Sequence, residues 1–160
     1  MQQHIKHTQE SGTKLMDIDT TEGFVYIAGK YRAKDGTHDW SAYEEIDRNI
    51  SLARTWAMRL ASDNIPMFCP HLNSAHAEVI APNVHPDYWY RLDMQILANA
   101  QAIFLLPGWK ESQGARDEHT FAEDNHLGVF YAEPNGLDDE WASYDGLVRW
   151  WRQNNAVYHS

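Results

Sequence analysis

Apolar residues fall along this chain in two alternating patterns: short unbroken runs, and longer stripes with spacings of three and four. The first run, GFVYIA at 23–28, is rich in β-branched and aromatic residues and predicts a buried strand. Beyond a polar loop over 29–39, Tyr43, Ile46, Ile50, Ala53, Ala57 and Leu60 recur at helical spacing, with Ser41 and Glu44 as a capping box. Residues 65–69 predict a second strand that Pro70 ends, and a long loop over 70–85 leads to a helix over 86–99. AIFLL at 102–106 predicts a third strand, stopped by Pro107 and Gly108. A helix over 115–125 follows, with Gly128 as its C-terminal stop, then a fourth strand at 129–131. An acidic loop at 133–140 precedes a last helix carrying Trp141, Tyr144, Leu147, Val148 and Trp151 on one face.

Strands alternating with helices at this spacing predict a parallel sheet covered on both faces, with right-handed crossovers. The expected fold class is α/β, a small doubly wound parallel sheet of Rossmann- or flavodoxin-like type. It forms a single domain over 23–160 after a polar, aperiodic tail over 1–22. In such sheets ligands bind outside the carboxyl ends of the strands. The loops there begin at Gly29, Pro70, Pro107 and Ala132, and they gather Lys30, Tyr31, Arg32, His71, Asn73, Trp109 and Ser112 on one edge.

Composition narrows the partners. The chain has 160 residues, 43% hydrophobic and 22% charged, which suits a globular domain with a real core. Its formal charge of −10, without a Lys/Arg cluster, argues against a nucleic-acid polymer. A single small anion remains possible, because backbone amides and one or two cations can hold a phosphate. One cysteine, no leader-like apolar segment and no long apolar run point to a cytoplasmic protein that neither enters nor spans a membrane.

Chemistry concentrates after the third strand, in PGWKESQGARDE at 107–118. Ser112 and Gly114 stand at a helix entrance, where free amides favour an anion. Glu118 falls three residues after Ala115 and three before Phe121, on the apolar stripe. It is either a partly desolvated functional carboxylate or an ordinary first-turn glutamate behind a serine cap. Asp93, four residues from both Trp89 and Leu97, lies among the buried positions of the preceding helix. It is either a functional carboxylate or the partner of Arg91 or Arg54 in a structural salt bridge. Two carboxyls converging on one pocket meet the needs of glycosidic chemistry, in which one attacks the anomeric carbon while a second group protonates the leaving group.

The segments VYIAG at 25–29, Asn49, FCPH at 68–71, Asp93 and SQGARDE at 112–118 together resemble the nucleoside 2-deoxyribosyltransferase family, including its 2′-deoxynucleoside 5′-monophosphate N-glycosidase branch. The resemblance spans about 24–131 and rests on order and spacing. It implies that Glu118 is the nucleophile, that Tyr26 orients it and that Asp93 stands near the leaving base. It implies that Ser112 receives a 5′-phosphate, since nucleoside transferases tend to carry an acidic residue there. Gly29, Lys30, Tyr31, Arg32, His71, Trp109, Gly114 and Arg116 complete the expected substrate site, with Trp109 placed to stack on a base. The chain departs from the pattern in reading Lys-Tyr-Arg after Gly29, where relatives usually carry proline. Arg116 also replaces a second glycine, which adds a phosphate contact or narrows the pocket. No cofactor is expected.

The expected function is therefore cleavage of the N-glycosidic bond of a (deoxy)nucleoside 5′-monophosphate. The alternatives are base exchange between nucleosides and a non-catalytic nucleotide sensor. Aromatic crowding at Trp141, Tyr144, Trp150 and Trp151, together with the resemblance, predicts a homodimer or higher homo-oligomer. A Cys69–His71 thiol site is disfavoured because neighbours at a strand exit rarely face each other. His71 with His76, or His119 with Asp124 and His126, lack a familiar metal spacing, so no metal is expected. The absence of a G-x-G-x-x-G and of a P-loop disfavours a dinucleotide dehydrogenase or an ATPase.

Overall fold

The structure, a computed structural model, describes residues 23–33, 40–133 and 140–155. The tail predicted over 1–22 and most of the acidic loop lie outside these. Strands β1 (Val25–Ala28), β2 (Met67–Phe68), β3 (Ala102–Leu105) and β4 (Gly128–Tyr131) form one parallel sheet in the order β2-β1-β3-β4. The helices are α1 (Trp40–Ser62), α2 (Pro70–Asn73), α3 (Ala77–Ile80), α4 (Pro86–Leu97), α5 (Gln113–Asp124) and α6 (Tyr144–Asn154). This is the doubly wound, flavodoxin-like arrangement expected from the sequence.

β1 and β3 are apolar throughout because both faces of the sheet are covered. Val25, Ile27 and Phe104 pack on one face with Ala53, Ala57 and Leu60 of α1 and Leu147 and Trp151 of α6. Tyr26, Ala28, Ile103 and Leu105 pack on the other face with Leu97 of α4 and Ala122 of α5. Tyr26 is thereby committed to the layer that holds α4 and α5. After β1 the chain turns one way to β2 and then crosses to β3 on the other side, so the strand order reverses between β1 and β3. A crevice opens at that switch point. Gly29 is required at its edge, because a Cβ there would lie 2.8 Å from Leu106 Cδ1.

Four local features differ from the sequence expectation. α1 begins at Trp40, so Ser41 lies in its first turn and the cap position falls outside the described residues; Ala42 takes the buried slot expected of Tyr43. The loop over 70–85 contains α2 and α3, each four residues long and too short for a readable period. α5 ends through His126, at φ 58°, while the amides of His126 and Leu127 donate back to the carbonyls of Glu123 and Ala122. Gly128 instead opens β4, where a Cβ would press on Phe130 at 2.9 Å and on Trp150 at 3.2 Å. Finally, the aromatics of the last helix are largely absorbed by the core. Tyr144 and Trp151 are buried, Trp150 packs on Phe130, and Trp141 precedes the helix and is 68% exposed. Among the described residues no helix is long and apolar enough to cross a membrane.

Candidate active site

The crevice deepens into a cavity of about 700 Å³. The β1 exit contributes Gly29, Lys30, Tyr31 and Arg32, the β2 exit His71, and the β3 exit Ser112, Gly114 and Glu118, with Asp93 reaching in from α4. Tyr26 lies beneath the cavity, fully buried. One glutamate, one aspartate and one tyrosine from three separate elements thus meet within the same layer.

The Glu118 carboxyl is pushed up to about 8, by burial first and then by the neighbouring charges of Asp93 and Asp117, while the Tyr26 hydroxyl opposes the rise. That hydroxyl is near enough to favour the carboxylate but is not aligned as a full hydrogen bond: Tyr26 Oη and Glu118 Oε2 are both buried without a partner. The Tyr26 phenol is itself held far above its ordinary range, mainly by burial, so it stays a proton donor. Asp93 is pushed up to about 6 by burial alone. Among the described residues, no cation stands within ion-pair distance of it, Arg54 and Arg91 included. No cation among the described residues forms an ion pair with Glu118 either.

The loop that carries Lys30 and Tyr31 is fixed from behind. Burial keeps the His71 pKa below its ordinary value, so the ring is neutral near pH 7. Its Nε2–H therefore donates to the Lys30 carbonyl at 2.9 Å, which leaves Nδ1 as a buried acceptor without a partner. Asn49 Nδ2 donates to the Tyr31 carbonyl at 3.1 Å. The Tyr31 hydroxyl donates to Glu78 Oε2 at 2.8 Å and accepts from the His76 amide at 2.9 Å, tying β1 to α3. Lys30 Nζ is held by Glu45 at 2.5 Å and Glu111 at 2.9 Å, which keeps it protonated.

At the entrance of α5, Ser112 Oγ caps the helix by accepting from the Ala115 amide at 3.3 Å. A Cβ on Gly114 would sit 3.9 Å from both Ser112 Oγ and Glu118 Oε1, so the glycine leaves this corner open without being sterically required there.

Two expected site residues are placed elsewhere. Trp109 does not line the cavity; it stacks on His119 at 4.5 Å and lies 6.0 Å from Tyr131, packed against the α4/α5 side of the core. Arg116 is turned out, donating to the Lys110 carbonyl at 2.5 Å and to Gln113 at 2.6 Å. Two residues before Glu118 on a helix is about 200° around the axis, so both cannot face the cavity. The aromatic lining comes instead from Tyr31, Tyr43, Trp89 and Tyr90. Trp89 sits one turn before Asp93, a spacing that placed it on the inner side of α4 without showing that this side faces a cavity.

Among the described residues, no group of three or more His, Cys, Asp or Glu side chains could hold a metal ion. No curated protein matches the chain. Residues 55–131, which include Asp93, Ser112 and Glu118 but not β1, are similar to a domain family of unknown function, DUF4406.

Proposed function

We propose that the protein cleaves the N-glycosidic bond of a (deoxy)nucleoside 5′-monophosphate through a glycosyl ester on Glu118, releasing the free base. The observation that carries this reading is the pair of desolvated, cation-free carboxyls of Glu118 and Asp93, which face one cavity with the Tyr26 hydroxyl behind Glu118. In the first step a Glu118 carboxylate oxygen bonds to the anomeric carbon as the bond to the base nitrogen breaks, and Asp93 delivers its proton to the departing base. Water then attacks the anomeric carbon, loses a proton to Asp93 and frees Glu118. Tyr26 stabilises the carboxylate that attacks.

The 5′-phosphate fits the entrance of α5, where Ser112 Oγ and the first amides of the helix converge and Arg32 stands exposed at the cavity rim. Hydrogen bonds to charged groups contribute about 1.5–3 kcal/mol, so Ser112→Ala should weaken monophosphate binding roughly ten- to a hundredfold. The same change removes a helix cap, and the matching nucleoside is the internal control because it feels only the cap. The function itself is tested by incubating the protein with nucleosides and 5′-monophosphates, with and without an acceptor base, and assaying the free base. Ligand bound but left intact would make the protein a sensor. Base exchange on nucleosides, weakened equally by Ser112→Ala, would make it a transferase.

We also propose that the working unit is a homo-oligomer, assembled through the cavity rim rather than the last helix. Val79, Ile80, Val84, Tyr88 and Tyr90 are exposed within one segment, 79–90, and Val84 and Tyr90 also line the cavity, which makes this segment the candidate contact surface. Sedimentation at assay concentration should show a dimer or larger species, and a fully active monomer overturns this.

A further inference from the structure

Lys30 lines the cavity with its side chain only 13% exposed, yet two carboxylates already engage it. The two are not equivalent. Glu45 belongs to α1, is 26% exposed and makes the shorter contact of 2.5 Å. Glu111 is 58% exposed, makes the longer contact of 2.9 Å, and ends the 3-10 turn Trp109–Glu111 directly before Ser112. Glu111, Ser112 and Gly114, close neighbours in sequence, all line the cavity. A phosphate seated on the first amides of α5 and reaching Lys30 would be a third anion on one ammonium, so it competes with the more exposed and longer-bonded of the two carboxylates, Glu111.

We propose that Glu111 is a displaceable occupant of the phosphate position. In the empty site it neutralises Lys30 together with Glu45; a substrate phosphate displaces Glu111 and takes its place on Lys30, while Glu45 stays. Arg116 cannot serve instead, because both of its terminal nitrogens are engaged outside the cavity. Glu111 then sets how strongly the site distinguishes a phosphorylated from an unphosphorylated substrate. This rests on the monophosphate reading above.

The test pairs inorganic phosphate titrations with kcat/KM for a deoxynucleoside 5′-monophosphate over its nucleoside, in wild type, Glu111→Gln and Glu123→Gln. Glu123 is an exposed carboxylate of α5 outside the cavity lining, beside His119. Glu111→Gln should tighten phosphate binding about tenfold and raise the monophosphate-to-nucleoside ratio similarly. Glu123→Gln should change both by less than about twofold. Unchanged or weaker phosphate binding in Glu111→Gln overturns the exchange, and so does an equal gain in Glu123→Gln, which would mark general relief of charge. The outcomes separate from those of the glycosidase reading. Base release from monophosphates with no effect of Glu111→Gln keeps the enzyme and removes the exchange. Selective tightening of phosphate in a protein that releases no base keeps the exchange and removes the enzyme.

Discussion

Replacing Glu118 by glutamine should remove nearly all turnover, on the order of a thousandfold or more, while the fold and nucleotide binding persist. The amide has the shape of the carboxylic acid and no nucleophilic charge, so a chemical role and a packing role separate cleanly. The variant should also be more stable than the wild type at alkaline pH. Burial holds the Glu118 carboxyl near 8, whereas an unfolded glutamate titrates at about 4.3. Across that window the folded protein keeps a proton that the unfolded chain has released, so stability falls as pH rises and levels off above about 8. Glutamine escapes this loss, and at pH 9 the difference should be on the order of a few kcal/mol, or several degrees in Tm. Calorimetry across pH, alongside an assay for free base, checks both halves. Wild-type-like turnover in the variant sinks the mechanism.

On the proposed mechanism the same carboxyl sets the pH dependence of the wild type. In that mechanism turnover needs a charged Glu118 and a protonated Asp93, hence a single proton on the pair. The pair carries one proton between about 6 and about 8. Activity should follow a bell around neutral pH, falling below as a second proton quenches the nucleophile and above as the acid is lost. In the empty site Glu118 is the more basic partner. Aligning the Tyr26 hydroxyl with Glu118 would favour moving the proton to Asp93, which is the arrangement the proposed reaction requires.

The fold was legible in the sequence because burial on both faces leaves an unmistakable mark. β1 and β3 are unbroken apolar runs, and Ile46, Ile50, Ala53, Ala57 and Leu60 keep a strict stripe along α1. Parallel pairing then put the loops after β1, β2 and β3 on one edge, so Lys30, His71, Ser112 and Glu118 could be assigned to one place without knowing their contacts. What stayed hidden depends on pairs distant in sequence. Nothing around Trp109 reveals that His119 and Tyr131 stack on it, and nothing around Lys30 reveals Glu45 or Glu111. Gly128 misled because glycine serves two purposes, and here it makes room for Phe130 and Trp150 while His126 takes the left-handed position. The outward direction of Arg116 was available from helical geometry alone, since Glu118 fixes which side of α5 faces the site.

Replacing Asp93 by asparagine should slow natural substrates about 100- to 10,000-fold, the range in which general acid catalysis contributes. The carboxyl suits the proposed role: with no cation among the described residues beside it, burial alone lifts it to about 6, close enough to neutrality to hold and release a proton. Asparagine keeps the size and can still hydrogen-bond the base, but it cannot deliver a proton. The loss in kcat/KM, which reports the first step, should therefore shrink sharply for a substrate whose base departs without protonation, while kcat keeps a loss because Asp93 also takes the proton of the attacking water. Removing the Asp93 charge also eases the repulsion that raises Glu118, so the Glu118 pKa should drop below 8. The residual kcat/KM on the good leaving group then requires only a charged Glu118. It should rise through that lowered pKa and stay level at alkaline pH, where the wild type declines. Rates measured for both substrates across pH distinguish the possibilities. Equal losses on the two substrates, with the alkaline decline retained, would reduce Asp93 to a structural residue of α4.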